Sequence, residues 1–509
     1  MMNVYINDDF CDFYWGDLSP EEMNEERLKR RIDFYAGRGG VTAVFFNLNA
    51  SRAFFDSTSR TPIWDGLEDD GTWHGILQGR MQINLARNCR ALFRNVADPI
   101  GFQYRYCHQC GVEMWLSMRM NDVHHIDRPQ LLMHDDFWRN RPDRCRAPWR
   151  GTAWNANSLD YAREDVFEHN IALMEEYFDR FDMDGFEVDW MRTPPHTRPG
   201  LPDAGRSILT RFMRCVRAAA DRAAARRGHP IRIAVRIPDS PQNAWYSGMD
   251  VTAWAREGLI DIAIPSPYFW STCHLIPVEL WRQLLGDAIE ITPCLELHIS
   301  MGRDDRVLTD LFADTGFTAS FYAQGADGIY LYNHFPGNGY IPHTPELFPY
   351  APFTLPYGEG RETQREFFSI AGDYRELCRR ERRHVFTCNE EWYYEWGGRN
   401  RAYLSPAERE FIVPFDLGIV GGNRTGYIVC GLPAEEDAIP RAFCNGQVCI
   451  SEPDAVFPYS HPAYCGKPMK LRIYRIPAGT LHDRSNTVEL IADRPVNFTW
   501  LELDLTSQN

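Results

Sequence analysis

Strand and helix signals alternate along the first three quarters of this chain, and this alternation constrains the fold more than any other feature. Short runs rich in β-branched and aromatic residues predict eight strands. The predicted strands are Asn3–Asn7, Thr42–Asn47, Val112–Asn121, Asp184–Met191, Ile231–Ile237, Asp261–Tyr268, Ile289–His298 and Gly328–Asn333. Helical patterns lie between most of them, and this order is typical of a parallel (β/α)8 TIM-type barrel.

Two of the helical segments have clear end signals. Ser19-Pro20-Glu21-Glu22 combines an N-cap residue, a proline at the first helical position and a capping-box glutamate. It predicts a helix that ends near Gly37. The second helix is predicted over Ile208–Arg226, with Ser207 as its N-cap.

The segment His334–Gly360, which follows the last predicted strand, is rich in proline and aromatic residues. A long ordered loop inside a compact domain is usually functional. We therefore expect it to lie over the top of the barrel, where the eighth strand ends. The alternative is a proline-stiffened segment that wraps the surface.

After about Arg380 the pattern changes to short strands separated by glycine and asparagine turns. TGYIVCGL, KLRIYRI, NTVELIA and NFTWLELDL are the clearest of these strands. They predict an antiparallel β-sandwich. The expected organisation is a barrel domain over residues 1–380 with long loops at its C-terminal face, followed by a β-sandwich domain over residues 381–509.

The charge balance excludes two classes of partner. The chain has 54 Lys and Arg against 70 Asp and Glu, a net charge of −16. A chain this acidic is not expected to bind nucleic acid or an anionic membrane surface. No run approaches the roughly 18–20 apolar residues that cross a bilayer. The first residues, MMNVYINDDF, lack the basic and apolar regions of a signal peptide. We therefore expect a cytoplasmic protein, or a secreted or periplasmic one whose signal was trimmed.

The 14 cysteines are irregularly spaced and do not suggest a disulfide framework. Cys107 and Cys110 form a lone CxxC without a second half, whereas a structural zinc ion needs four ligands. We predict no metal site and no cofactor. The oligomeric state, a homodimer included, is left open.

In a barrel of this kind the active site lies at the C-terminal ends of the strands. Side chains alternate along a strand, so that Val4 and Ile6 face the helices while Tyr5, Asn7 and Asp9 point inward. The same alternation assigns further polar residues to the interior: Asn47, Asn49, Ser117, Arg119, Asn121, Glu187, Asp189, Arg232, Arg236, Glu296, His298 and Asn333. This many polar groups at one end of a barrel predicts an active site there.

The fourth strand, DGFEVDWMR (Asp184–Arg192), is similar to the DGxDxDxE strand of chitinase-type glycosidases. The position of the catalytic acid in that pattern is Met191 here. A thioether cannot protonate a leaving group, and the chitinase mechanism is therefore excluded. Asp189 and Glu187 remain as carboxylates that shape the site, or as a buried hydrogen-bonded pair.

A loop after the third strand contains LLMHDDFWRNRPDR (Leu131–Arg144), in which His134 is followed by Asp135 and Asp136 and lies near Trp138. Nearby carboxylates favour the imidazolium form of histidine. We therefore expect His134 to hold a proton at mildly acidic pH, as a general acid must.

INDDF in the first strand, SMRMND in the third, DGFEVDW in the fourth and the C-terminal sandwich resemble the family-10-like glycosyl hydrolases. With the histidine-bearing loop, the chain more closely resembles glycoside hydrolase family 156, the inverting exo-sialidases. The resemblance implies a histidine general acid and an aspartate general base in a single displacement. It places the acid at His134 and the base at Asp9, with Asp12 and Asp189 as competitors for the base.

The expected substrates are sialylated glycans, in which sialic acid has a carboxylate on its anomeric carbon. That carboxylate requires arginine, ideally in a bidentate contact. Arg119, Arg192 and Arg236 end the third, fourth and fifth strands, and Arg128 is a loop alternative. The remaining candidate ligands of the substrate are Asn121 and Asn333. The rings expected to stack on the aglycone are Tyr340, Phe348 and Tyr350.

Two other functions fit the same barrel. One is a glycosidase that uses Asp189 and Glu187 on a neutral or uronic polysaccharide. The other is a carbohydrate-binding barrel without catalytic activity, which the methionine at position 191 would suit. A degenerate barrel should have lost charged residues at several strand ends, but here they persist at most of them.

Overall fold

The computed structural model describes residues 1–125, 128–139, 142–150, 154–267, 271–300, 306–334, 361–387, 408–421, 424–457 and 469–507. Strands and helices alternate along its first part, as predicted. The strands up to residue 332 are β1 (Asn3–Asp8), β2 (Ala43–Asn47), β3 (Thr72–Trp73), β4 (Ile76–Leu77), β5 (Glu113–Arg119), β6 (Gly185–Asp189), β7 (Arg232–Pro238), β8 (Ile262–Ser266), β9 (Glu290–Ile291), β10 (Cys294–Glu296), β11 (His298–Ser300), β12 (Arg306–Leu308) and β13 (Gly328–Tyr332).

Nine of these segments form one parallel sheet in the order β10-β13-β1-β2-β5-β6-β7-β8-β9. Its two end segments, β9 and β10, are separated in the chain only by Thr292 and Pro293. The backbone of this stretch bonds on both sides, because Thr292 N donates to Ala263 O at 3.0 Å while Tyr330 N donates to Pro293 O at 3.0 Å. The sheet therefore curls round until its two ends meet, and the architecture is a β/α barrel.

The helices are α1 (Cys11–Trp15), α2 (Glu25–Ala36), α3 (Arg80–Asn95), α4 (Pro99–Gln109), α5 (Asp136–Arg139), α6 (Glu164–Arg180), α7 (Pro202–Arg227), α8 (Pro241–Tyr246), α9 (Val251–Arg256), α10 (Val278–Leu285), α11 (Leu311–Ala323), α12 (Arg361–Ile370) and α13 (Tyr374–Arg379). None of the helices in the described ranges is both long and apolar enough to cross a membrane.

Both predicted helix starts were misplaced. The capping box of Ser19 and Glu22 is present, but it closes a 3-10 turn over Pro20–Glu22. Helix α2 begins afterwards, where the side chain of Asn24 accepts a hydrogen bond from Arg27 N. Helix α7 begins with a proline at position 202, so Ser207 lies inside it and its hydroxyl donates to Asp203 O. In α7 the proline at the first turn was a stronger start signal than the serine.

The barrel interior is a separate apolar cluster: Tyr5, Ala43, Phe45, Trp115, Ala234, Ile262, Ile264, Cys294, Tyr330 and Tyr332. Val4 and Ile6 belong instead to the core between strands and helices. The predicted alternation is thus confirmed for the first strand. Towards the N-terminal end, Glu290 accepts hydrogen bonds from Tyr5 at 2.7 Å and from Arg232 at 2.6 Å. Arg232 therefore stabilises the bottom of the barrel, and of the two strand-five arginines only Arg236 reaches the top.

The remaining strands are β14 (Arg382–Val385), β15 (Glu408–Asp416), β16 (Arg424–Pro433), β17 (Arg441–Cys444), β18 (Gln447–Val448), β19 (Ile450–Ser451), β20 (Met469–Arg475), β21 (Ser485–Val496) and β22 (Trp500–Ser507). They form two antiparallel sheets, β14-β22-β16-β20-β19 and β15-β21-β17-β18. Residues of both sheets, such as Val413 and Leu503, share one apolar core. The predicted antiparallel sandwich is confirmed, and the domain boundary at residue 380 stays a prediction.

A buried ion-pair cluster joins the two parts of the chain. Arg383 of β14 donates to Glu502 of β22 at 2.6 Å and also pairs with Asp310, which caps α11. The side chains of Arg383 and Glu502 are 2% and 0% exposed. Trp500 donates its indole N–H to the same Glu502 oxygen at 2.9 Å. These contacts tie β14 to the N-terminal end of α11.

Candidate active site

The polar residues predicted at the C-terminal ends of the strands do meet there. Asp9, one residue beyond β1, accepts a hydrogen bond from Nη2 of Arg119, the last residue of β5, at 2.6 Å. Arg119 also lies 3.4 Å from a carboxylate oxygen of Asp122. Asn49 holds the backbone of Arg119 through its amide, which accepts from Arg119 N and donates to Arg119 O. The end of β5 is thus held in place by the loop that follows β2.

Asp122 is the centre of this group. One of its oxygens lies 2.7 Å from Nδ1 of His124, and the other contacts Arg119 and Arg192. Burial by itself raises the pKa of Asp122, but His124, Arg192 and Arg119 outweigh it and hold the pKa well below its usual range. Asp122 is therefore a fixed negative charge that positions a histidine and two arginines.

Of the three arginines, Arg192 has the longest contact to its nearest carboxylate, 3.4 Å against 2.6 Å for Arg119 and 3.2 Å for Arg236. Its Nη1 donates to the hydroxyl of Tyr332 at 3.1 Å, and its Nη2 lies 3.2 Å from the ring nitrogens of His124 and 3.4 Å from Asp122. Its buried Nε finds no acceptor among the residues that the structure describes. The turn that presents it has Thr193 at a φ of 66°, and the Thr193 hydroxyl donates to Asn121 O at 3.0 Å.

The third arginine, Arg236 of β7, pairs with the neighbouring strand. Its Nη1 lies 3.2 Å from both carboxylate oxygens of Asp189, the last residue of β6. Its Nε donates to the Ser266 hydroxyl at 3.2 Å, and its guanidinium carbon lies 3.7 Å above the centre of the Tyr332 ring. Tyr332 thus contacts both Arg192 and Arg236, and it connects the two halves of the site.

Glu187 lies below Asp189 on the same strand and is fully buried. Burial and the negative charge of Asp189 raise its pKa to about 7. The hydroxyl groups of Ser117 and Tyr330 are near enough to lower that pKa. Even so, neither carboxyl oxygen has a hydrogen bond of normal geometry within the described part of the chain. Glu187 is therefore a carboxyl group that keeps its proton up to near-neutral pH.

His134 does not have the environment expected from its neighbours in sequence. It is 1% exposed, its ring stacks on Trp138 at 4.3 Å, and its Nε2 donates to His125 O at 3.0 Å. Burial lowers its pKa, which is opposite to the expectation that the following carboxylates favour imidazolium. Those carboxylates have other partners, since Asp135 accepts from Trp138 N and Asp136 pairs with Arg139.

The two asparagines predicted to bind substrate have partners within the protein. The amide of Asn121 donates to Leu159 O at 2.9 Å and accepts from Leu159 N at 2.8 Å, which fixes the loop above β5. Asn333, at a φ of 63°, donates to Glu296 at 2.8 Å. Glu296 itself lies 3.5 Å from Nδ1 of His298. Asn121 is thus committed to the backbone, and Asn333 positions a carboxylate.

Other predicted residues lie away from the cluster or outside the described residues. Arg128 is exposed and contacts His125 at 3.0 Å. Asp12 is in helix α1, and its side chain is outside the described part of the structure. The same holds for all of the loop His334–Gly360 after His334 itself, with Tyr340, Phe348 and Tyr350.

Three residues of the cluster, Asp122, His124 and Tyr332, were not singled out from the sequence. Asp122 and His124 follow the third strand directly in SMRMNDVHH, and strand alternation places Tyr332 on the same inward face as Tyr330. Position after a strand end would have identified Asp122 and His124, and strand alternation would have identified Tyr332. Within the described ranges, no three His, Cys, Asp or Glu side chains are arranged to hold a metal ion.

Comparisons with known proteins give only distant similarities. No family model matches the chain, and no curated protein does. An α-amylase of Lactobacillus plantarum is 11% identical, with a TM-score of 0.41 over 96% of this chain and 98% of its own. A family GH36 α-galactosidase of Geobacillus stearothermophilus is 13% identical, with a TM-score of 0.40 over 99% and 55%. A multi-modular chitinase of Paenibacillus is 8% identical, with a TM-score of 0.39 over 98% and 55%. The chain spans about half the length of the latter two, and nothing about its chemistry follows from similarity this low.

Proposed function

We propose that this protein is a glycoside hydrolase, an inverting exo-sialidase that releases terminal sialic acid from sialylated glycans. The resemblance to glycoside hydrolase family 156 suggests it, and the arrangement of charges at the barrel's C-terminal end supports it. In this proposal residues 1–380 form an eight-stranded catalytic barrel in which residues 290–296 are one strand interrupted at Pro293. Residues 381–509 form the accessory sandwich.

The observation that carries the proposal is the unsatisfied guanidinium of Arg192. A buried N–H donor without an acceptor is costly, and a carboxylate is the acceptor that a guanidinium fork fits best. The Nε of Arg192 lacks an acceptor in the described residues, and its other two nitrogens contact the Tyr332 hydroxyl, the His124 ring and, at 3.4 Å, an oxygen of Asp122. A sugar that bears a carboxylate at its anomeric carbon would supply that acceptor beside the bond to be cleaved.

The reaction needs a base for water and an acid for the leaving oxygen. We assign the base to Asp9, where Arg119 holds the carboxylate. Water, deprotonated by Asp9, attacks the anomeric carbon while an imidazole gives its proton to the departing glycosidic oxygen. One displacement of this kind inverts the anomeric centre, and the base and acid should stand roughly 6.5–9.5 Å apart with the water between them.

The geometry favours His124 as the acid over the sequence-based candidate His134. The ring of His124 is 38% exposed, lies beside Asp122 and contacts Arg192. His134 is sealed from solvent, and burial lowers its pKa. An acid must reach the substrate oxygen and hold a proton before the reaction. We therefore propose His124 for this role.

The experiment that tests the function is hydrolysis of aryl glycosides that differ only in the sugar: a sialoside, a β-glucuronide and an α-galactoside. We expect release of the fluorophore from the sialoside alone. Arg192→Met should lower kcat/KM on it by about 10²-fold or more, because a charged hydrogen-bonded contact is lost. Arg222→Met is the matched control, since Arg222 lies on the outer surface of α7 and pairs with Glu175. Preferential hydrolysis of the glucuronide or galactoside would contradict a sialidase.

A further inference from the structure

The charged side chains at the top of the barrel balance one another. Three guanidinium groups, Arg119, Arg192 and Arg236, are in contact with three carboxylates, Asp9, Asp122 and Asp189. Of two further carboxyl groups at this end, Glu187 keeps its proton up to near-neutral pH, and Glu296 lies 3.5 Å from Nδ1 of His298. Among the described residues, each cation of the site already has a carboxylate beside it. A bound anionic sugar would therefore bring one negative charge that no group present compensates.

His124 is the group in the cluster that can supply the missing positive charge. Its ring nitrogens lie 2.7 Å from an oxygen of Asp122 and 3.2 Å from Nη2 of Arg192. The other charged or titratable groups around it are His125, whose ring centre is 6.2 Å away, and Arg119, which reaches it through Asp122. Imidazole is the side chain that gains or loses a proton near neutral pH.

The contact with Arg192 specifies the state of His124 in the unliganded protein. A guanidinium can only donate hydrogen bonds. Nη2 of Arg192 lies 3.2 Å from both ring nitrogens, and Nδ1 is already bound to the Asp122 carboxylate at 2.7 Å, so Nε2 is the nitrogen left to accept from the guanidinium and has no proton while the contact persists. The other nitrogen, Nδ1, donates to Asp122. In this arrangement Nε2 accepts a hydrogen bond and has no proton to give to a leaving group.

We infer that the carboxylate of the bound sugar loads the proton onto His124 by taking over Arg192. When the sugar carboxylate accepts hydrogen bonds from the guanidinium, Nε2 of His124 loses its donor, and the positive charge of Arg192 is neutralised beside it. Both changes favour uptake of one proton from solvent at Nε2, which becomes the proton delivered to the glycosidic oxygen. The inference rests on the proposed function, and it explains selectivity: a neutral sugar leaves His124 unprotonated and therefore unable to catalyse.

Calorimetry of free N-acetylneuraminic acid binding at pH 7, in phosphate and in Tris, tests the inference. The two buffers differ in ionisation heat, so the difference between the binding heats counts protons. We expect uptake of up to about one proton per bound sugar, since one imidazole nitrogen is available. His124→Gln should still bind the sugar without uptake, because glutamine can donate to Asp122 and accept from Arg192 but holds no proton.

His108→Gln is the matched control, because His108 forms another His–Asp pair, 2.9 Å from Asp184, at the N-terminal end of the strands. It should show the same uptake as the unmodified protein. Binding without proton uptake, or uptake that persists in His124→Gln, would overturn the inference and leave the proposed function standing. If the sugar does not bind and no sialoside is hydrolysed, the proposed function fails and the inference fails with it. His124→Asn replaces His124→Gln if the latter does not fold.

Discussion

Replacing Glu187 by glutamine should make the protein more stable at alkaline pH than the unmodified chain. Glu187 is fully buried inside the barrel, where burial and the charge of Asp189 raise its pKa to about 7. Glutamine has the same shape and is neutral at every pH. The substitution therefore removes the cost of a buried charge without opening a cavity.

The magnitude follows from the difference between the folded and unfolded pKa values. A pKa that rises from 4.5 to about 7 on folding means that the folded state holds the proton more tightly. The stabilisation from that proton is fully present below the unfolded value and is lost as the pH rises through about 7. At about 1.4 kcal/mol for each pKa unit, the loss reaches about 3 kcal/mol at high pH, and about 2.5 kcal/mol of it falls between pH 5 and pH 8.5.

The assay is urea unfolding of both proteins at pH 5 and at pH 8.5, followed by tryptophan fluorescence and circular dichroism. The quantity to compare is the change in the free energy of unfolding between the two pH values. From pH 5 to pH 8.5, the free energy of unfolding of the unmodified chain should fall by about 2.5 kcal/mol more than that of Glu187→Gln. Glu175→Gln, which removes a surface carboxylate of α6 paired with Arg222, should leave the pH difference unaltered.

Equal pH dependence in Glu187→Gln and the unmodified chain would refute this reasoning. It would mean that Glu187 is ionised in the folded barrel already at pH 5. Arg236, which lowers the pKa of Glu187, would then outweigh both burial and Asp189. Coincident transitions by both probes are required for the comparison, because separate unfolding of the two parts of the chain would not give a single free energy.

Three further outcomes are expected. Arg383→Met should lower the free energy of unfolding by about 3–5 kcal/mol, because it leaves Glu502 buried without its cation. Arg475→Met, which breaks a half-exposed ion pair, should lower it by less than about 1 kcal/mol, and thermal unfolding of the two variants compares these losses. His124→Gln should slow the hydrolysis of sialosides with poor leaving groups by about 10²–10⁴-fold, and that of activated aryl sialosides much less. If His134→Gln shows this selective loss and His124→Gln does not, the general acid is His134. Proton NMR of the first-formed sugar should show inversion, and retained configuration would exclude a single displacement.

The strands could be predicted closely because period and composition are local properties of the sequence. Asp184–Met191 was predicted and Gly185–Asp189 is observed, and the other strands agree about as well. Ile289–His298 is the exception, since Pro293 lacks an N–H and divides the strand into two segments. The ends of helices were harder, because several residues near each end can cap it. Helix α7 uses Pro202 where Ser207 was expected.

The site could be predicted only as far as strand alternation reaches. Asp9, Arg119, Asp189 and Arg236 lie at or near the C-terminal ends of their strands, and the structure brings each of them into an ion pair at the same end of the barrel. His134 lies in a loop, where neighbours in sequence need not be neighbours in space. Its two adjacent aspartates turn towards other partners, and its ring is enclosed by Trp138 and by the backbone of His125.

The arginine–carboxylate pairs at the ends of the strands also limit which of these side chains can bind a ligand. An arginine with a full set of carboxylate contacts holds its neighbours in place but has little left for a ligand. Arg119 and Arg236 are of this kind, since each lies beside a buried carboxylate at 2.6 or 3.2 Å. Arg192 differs because its shorter contacts are to a hydroxyl and an imidazole and its Nε lacks an acceptor in the described residues. Specificity for an anionic sugar should therefore depend on Arg192, while the other two arginines determine whether the site keeps its shape.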